Sequence, residues 1–247
     1  MKLLSEGARQ LGIELTAEQL AAFQTYYQEL IAWNKKFNLT AITDYEEVQI
    51  WHFLDSLTCL LALEDKGRGA PLLPSFPSVS VIDVGTGAGF PGLPLKIVRP
   101  DLRLTLLEAR GKKVAFLEHL VRRLGLEGVE VIKGRAEEWG RDPAHRERYD
   151  LALARALAEL PVLVEYALPF CRLGGLLIAQ KGAGLRTEVE AAGPAMDILG
   201  GALRRIVPVE LPGLAQPRSL VVIEKVAPTP EKYPRRPGIP RKRPIKS

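Results

Sequence analysis

The stretch Asp83-Val84-Gly85-Thr86-Gly87-Ala88-Gly89-Phe90-Pro91-Gly92 constrains this chain more than any other. The β-forming residues Val79, Val81, Ile82 and Val84 lead into it, and a helical pattern follows. A strand therefore ends in a carboxylate and turns through glycines into a helix. Such a turn brings bare backbone N–H groups and the positive end of a helix close to a ligand. The carboxylate at the strand tip repels a phosphate and attracts a cationic or hydroxyl-bearing ligand.

From residue 79 onward, strand and helix patterns alternate. Strands are expected over 79–84, 102–108, 129–133, 151–154 and 175–181, and helices over 93–98, 111–124, 158–170 and 184–199. This alternation predicts an α/β fold: a mostly parallel, Rossmann-like sheet, covered on both faces and joined by right-handed crossovers. Two last strands, over 202–210 and 218–226, read as a closing hairpin with a short Pro/Gly connection, which makes the final strand antiparallel. Upstream the pattern is helical. Thr16 and Gln19 have the spacing of a capping box, and Leu20, Phe23, Tyr27, Leu30 and Ile31 form an apolar face behind it. A further helix is expected over 45–63, and the Gly/Pro-rich residues 67–77 read as a linker. The expected organisation is a helical region with linker (1–77), a sheet domain (78–228) and a basic, Pro-rich tail (229–247).

With 247 residues, 47% of them hydrophobic, the chain can bury a substantial core. No apolar run is long enough to span a membrane, and the N-terminus lacks a signal-peptide pattern, so a cytoplasmic protein with no membrane partner is expected. Cys59 and Cys171 are isolated, and His52, His119 and His145 are scattered, so no metal site is expected. The net charge of +5 is concentrated at one end: residues 231–247 carry seven basic residues against the single acid Glu231. The prolines Pro234, Pro237, Pro240 and Pro244 oppose helix formation there. The tail is therefore expected to be extended, with Arg235, Arg236, Arg241, Lys242 and Arg243 free to follow a nucleic-acid backbone or simply to be solvated.

The loop also fits the G-x-G-x-x-G dinucleotide pattern through Gly87, Gly89 and Gly92, a weak signal alone. Glu108 ends the next strand, 25 residues after Asp83, where a carboxylate accepts both hydroxyls of an adenosine ribose. Dehydrogenases and methyltransferases both use such an acid. The closing hairpin favours an S-adenosylmethionine methyltransferase of class I over a nicotinamide oxidoreductase, whose second parallel half this chain is too short to hold. A non-catalytic RNA-binding module that keeps a cofactor pocket is the remaining alternative.

A longer series of motifs is more specific. Trp33-Asn34-Lys35-Lys36-Phe37-Asn38-Leu39-Thr40, His52 with Asp55-Ser56-Leu57, the glycine loop, Leu106-Leu107-Glu108-Ala109-Arg110-Gly111-Lys112-Lys113, Ala154-Arg155-Ala156 and Gln180-Lys181-Gly182 occur in that order. Over nearly its whole length the chain closely resembles the GidB family, bacterial small-subunit ribosomal RNA guanine-N7 methyltransferases. The resemblance implies methyl transfer from S-adenosylmethionine to N7 of a guanosine in the 530 loop of 16S ribosomal RNA. The RNA or the small ribosomal subunit is then the partner, and nothing demands a dimer, so a monomer is expected.

On that reading Gly85, Gly87 and Gly89 let the backbone approach the cofactor, Asp83 faces its sulfonium, and Glu108 holds the ribose. Phe90 either walls the cofactor or packs in the core. Ala109 and Arg110 border the adenine edge. Ala136 and Glu137 either meet the adenine amino group or begin a helix, where an acid suits the dipole. Arg155 either binds the cofactor carboxylate or an RNA phosphate, or forms a structural ion pair. Lys181 and Arg218 either meet RNA or are surface charges, and Lys35 joins the RNA side. Asn34 and Asn38 share a helix face and either line the target pocket or cap the helix. His52 and Asp55 are spaced to form a local pair. Guanine N7 carries a lone pair and no proton, and a sulfonium departs neutral, so neither a general base nor a general acid is required; alignment suffices.

Overall fold

The computed structural model describes residues 1–63, 79–211 and 218–246. The expected linker (67–77) and most of the connection between the last two strands lie outside the described residues.

The alternating apolar runs become seven strands: β1 (Ser80–Val84), β2 (Arg103–Glu108), β3 (Val129–Lys133), β4 (Tyr149–Arg155), β5 (Cys171–Lys181), β6 (Gly201–Val209) and β7 (Arg218–Lys225). They form one sheet in the order β3-β2-β1-β4-β5-β7-β6. The first five are parallel to one another. β7 runs antiparallel to both β5 and β6, inserted between them, as the closing hairpin requires. The chain reverses direction in strand order between β1 and β4, and a crevice opens above their carboxyl ends.

The helices are α1 (Lys2–Gln10), α2 (Ala17–Phe37), α3 (Tyr45–Glu47), α4 (Asp55–Leu57), α5 (Gly92–Val98), α6 (Gly111–Arg123), α7 (Ala136–Trp139), α8 (Leu160–Ala167), α9 (Leu185–Leu199) and α10 (Ile239–Lys242). The helix expected over 45–63 is a continuous helical path, but a π-helical segment, Val48–Leu54, separates α3 from α4 and a 3₁₀ segment, Thr58–Ala62, closes it. α2 starts at the expected capping box: Thr16 Oγ1 accepts from Gln19 N at 3.2 Å and Gln19 Oε1 accepts from Thr16 N at 2.9 Å. Its buried face is Phe23, Tyr26 and Leu30; Tyr27 sits at the edge instead.

The sheet divides two cores. On one face, Phe23, Tyr26, Leu30 and Phe53 of the N-terminal helices pack with Val81, Leu93, Phe116 and Ile178. The N-terminal helices thus have no separate core. On the other face, α8 and α9 pack against Ile82, Leu107 and Leu177, joined by Tyr233 and Ile245 of the C-terminal segment. That segment is where expectation and structure part. It is docked rather than solvated, and Ile239–Lys242 forms a helical turn despite the prolines, because Pro240 lies in the first turn, where its missing N–H is not needed. Both cysteines are free and buried. Among the described residues no helix is long and apolar enough to cross a membrane.

Candidate functional site

The glycine loop is held from below. Asp83 is fully buried, and its Oδ2 accepts from Thr86 Oγ1 at 2.6 Å and Gly92 N at 2.8 Å. Burial pushes its pKa up to about 6, against the lowering effect of these donors and of Arg155. Through Oδ2, Asp83 ties the two ends of the loop together, while its Oδ1 is buried with no hydrogen-bond partner among the described residues. Phe90 is buried in the first core. It is stacked between Tyr26 (ring centroids 5.3 Å apart) and His52 (4.4 Å), so its core-packing alternative holds. Gly89, at φ +100°, lies where a Cβ would come within 2.5 Å of the Tyr26 hydroxyl, so it serves the approach of α2. Tyr26 completes that approach by donating to Ala88 O at 2.6 Å.

Above the loop, Gly85, Glu108, Ala109, Arg110, Ala136 and Glu137 line one cleft. Glu108 sits at its floor. Its Oε2 accepts from Gly87 N at 3.0 Å and its Oε1 from Arg110 N at 2.8 Å, so loop and strand tip orient the carboxylate together. Each oxygen keeps a lone pair for a vicinal diol. Gly85 and Gly87 have φ of +69° and +64°, the left-handed conformation that glycine adopts without strain. The donor set fits a ribose and purine.

Sequence reasoning missed several parts of this wall. Lys113, in the first turn of α6, and Arg135, before α7, reach the cleft, as do Ala156–Ala158, Tyr166 of α8 and Arg241 of the C-terminal segment. Ala156 is held at φ +51°, an uncommon conformation for alanine. The chain beyond it is pinned: Lys181 Nζ donates to Ala158 O at 2.9 Å and pairs with Glu188 at 2.5 Å, while Glu188 accepts from Leu160 N. Lys181 is thus engaged within the protein. Lys113 and Arg135 each follow a recognisable strand end; nothing in the sequence marks Tyr166, and Arg241 is expected there with the RNA-facing tail residues and not at this cleft.

A second polar cluster lies on the other side of the glycine loop. Arg155 does not line the cleft above the loop. It donates to Asp55 Oδ2 at 3.0 Å, to Trp51 O at 3.1 Å and to His52 Nδ1 at 3.2 Å, with its guanidinium 4.9 Å from the Phe90 ring. The expected His52–Asp55 pair is therefore bridged by Arg155. Because Nδ1 accepts, Nε2–H donates to Thr40 Oγ1 at 2.8 Å, the neutral tautomer. Burial, then the Arg155 charge, push the His52 pKa down to about 3. Arg218 lies 3.9 Å from Asp55 and over the Trp51 ring. Asn34 Oδ1 accepts from Thr40 N at 2.9 Å, and Asn38 ends α2 at φ 48°, so both serve the helix terminus. Lys35 is exposed on the same last turn. In the C-terminal segment, Arg236, Arg241, Lys242 and Arg243 are exposed, whereas Arg235 is bound to Glu165 at 2.5 Å. Among the described residues no group of three His, Cys, Asp or Glu side chains could hold a metal ion.

The likeness to solved structures concerns the fold. A crystal structure of a mutant of MtNAS, titled as a complex with S-adenosylmethionine, superposes with a TM-score of 0.54 at 19% identity, covering 92% of this chain and 77% of that one. Together with the sheet order, the fold is the Rossmann-like one of class I S-adenosylmethionine methyltransferases. Sequence likeness is far closer. The chain is 51% identical to a ribosomal RNA small subunit methyltransferase G of Pelotomaculum thermopropionicum, over 98% of this chain and 97% of the relative. It is 53% identical to one of Roseiflexus castenholzii, over 95% of each. The family model GidB, described as rRNA small subunit methyltransferase G, matches residues 19–214, and the chain belongs to that family.

Proposed function

We propose that this chain transfers a methyl group from S-adenosylmethionine to N7 of a guanosine in the 530 loop of 16S ribosomal RNA. One observation carries the cofactor half of this reading: Glu108 is presented to the cleft by two backbone N–H groups, with acceptor capacity left over for a ribose. The cofactor supplies a methyl on a sulfonium, a leaving group that needs no proton. The purine N7 supplies its own lone pair. The protein's task is then alignment, which is worth up to about 10 kcal/mol in favourable cases.

Glu108 fixes the ribose, Gly85 and Gly87 admit it to the backbone, and Ala136 and Glu137 border the base. Arg110, Lys113 and Arg135 give the cleft a cationic rim suited to RNA phosphate. Arg155 and Arg218, beside Trp51, offer a second cationic edge where the target nucleotide enters. Asn34 and Lys181 act on the target indirectly, through the Thr40–His52–Arg155 chain and the Ala156–Leu160 segment.

The test uses labelled S-adenosylmethionine and small ribosomal subunits lacking the modification, followed by reductive strand cleavage at 7-methylguanosine. Label at one guanosine of the 530 loop is expected; label elsewhere, or on another atom, overturns the proposal. Glu108→Ala is expected to weaken S-adenosylmethionine by about tenfold to a hundredfold, two charge-assisted hydrogen bonds being lost. Unchanged affinity by calorimetric titration sinks its role.

A further inference from the structure

Much of the hold on the C-terminal segment is on its backbone. Arg146 donates to Thr229 O at 2.6 Å and Tyr233 O at 2.8 Å, and Arg141 donates to Lys232 O at 2.8 Å and Pro234 O at 2.6 Å. At its root, the fully buried Lys225 Nζ hydrogen-bonds Thr229 Oγ1 and pairs with Glu147. Further along, Glu165, 1% exposed, accepts from the Arg235 backbone N–H at 2.8 Å as well as from its guanidinium. The path then reaches the cofactor cleft. Gly238 N donates to Glu137 Oε1 at 2.9 Å, and Arg241 stands in the cleft wall with Glu137 and Tyr166.

We propose that residues 229–246 form a fixed wall of the cofactor cleft, in which Gly238 positions Glu137 and Arg241 covers the adenine ring. The proposal rests on the reading of this cleft as the S-adenosylmethionine site. The chemistry suits a purine. A carboxylate held by one backbone donor accepts from an exocyclic amino group with its remaining lone pairs. A guanidinium is planar and weakly hydrated, and it stacks on an aromatic face. The same residues give no purchase on the methionine end, which lies toward the glycine loop. The segment is therefore a determinant of cofactor affinity and not chiefly an RNA-binding arm.

Calorimetry with S-adenosylmethionine and with adenosine alone tests this. Arg241→Ala is expected to weaken both ligands by a similar factor, about three- to tenfold, and to raise the KM for S-adenosylmethionine with little change in kcat. Arg241→Lys keeps the charge and loses the plane, so it recovers only part of the affinity. Lys2→Ala, exposed on α1 and away from the cleft, changes neither Kd beyond about twofold. Unchanged Kd values in a folded Arg241→Ala protein overturn the proposal. So does an Arg241→Ala defect confined to RNA binding and its salt dependence, which makes the segment an RNA arm after all. Wild-type protein that binds adenosine-containing ligands but shows no sensitivity at Arg241 removes this proposal alone; wild-type protein that binds none removes the reading of the cleft with it.

Discussion

The two ends of the chain dock on opposite faces of one sheet, and they do so by different physics. The N-terminal helices are held by apolar and aromatic side chains: Phe53 packs 4.9 Å from Phe23 and 5.1 Å from Tyr26, and Tyr26 continues into Phe90 of the glycine loop. The C-terminal segment buries Tyr233 and Ile245 in the second core but is held largely by polar anchors: Arg141 and Arg146 capture its backbone carbonyls, and Glu165 binds Arg235. Burial of large apolar side chains gives stability that spreads through a core. Arginine-to-carbonyl bonds give a local path that can open without the core opening. The helices brace the glycine loop through Tyr26 and, at Phe90, beside Arg155, whereas the segment reaches the cleft wall at Glu137.

The sharpest way to break this comparison is to cut each attachment. Phe53→Ala is expected to cost about 3–5 kcal/mol of global stability, read by denaturant unfolding, because it empties a fully buried aromatic site. Arg146→Ala is expected to leave most global stability intact and to weaken the segment locally by about 2–3 kcal/mol, the scale of one or two charged hydrogen bonds. Amide exchange would read it: protection at Arg235 and Gly238 should fall by at least about tenfold while strand β1 stays protected. Equal global losses in the two variants would erase the distinction.

The smallest effect concerns pH and belongs to the N-terminal side only. His52 is depressed to about 3 when folded, so the folded state holds it neutral. Its contribution is present above its ordinary value near 6.5 and is lost as pH falls toward about 3. Asp83 is raised to about 6, so its contribution has the opposite sign, present below about 3.8 and lost as pH rises through about 6. Between roughly pH 4 and 6 the two oppose. In His52→Asn only the Asp83 contribution remains, so unfolding measured across that window should show stability that rises with acid where the wild type stays nearly level, a change in slope of up to about 1.4 kcal/mol per pH unit. An unaltered pH profile would show that His52 is not neutral in the folded protein.

Much of this is legible in the sequence because it is local. The strand–glycine–helix turn, the capping box at Thr16 and the antiparallel last strand are written in short-range periodicity and turn chemistry. Glu108 is legible because a carboxylate ending the second strand is carried to the cleft by strand order alone. Asp83 is not, because period and position place it at a strand tip but do not say which face of the loop it supports. Phe90 escapes for the same reason: its partners, Tyr26 and His52, come from helices far away in sequence. The tail misleads because composition counts charges, and the guanidiniums that capture its carbonyls belong to Arg141 and Arg146.

The amino-acid order alone settled the succession of strands, the sheet class and the family, and it put Glu108 at the end of the second strand, since each depends on neighbours within one or two turns of chain. Docking of the two ends settled the rest: that Arg155 joins His52 to Asp55, that Lys181 pins the segment after Ala156, and that Arg241 enters the cleft. These pairings join residues far apart along the chain, and only packing decides which distant donor meets which acceptor.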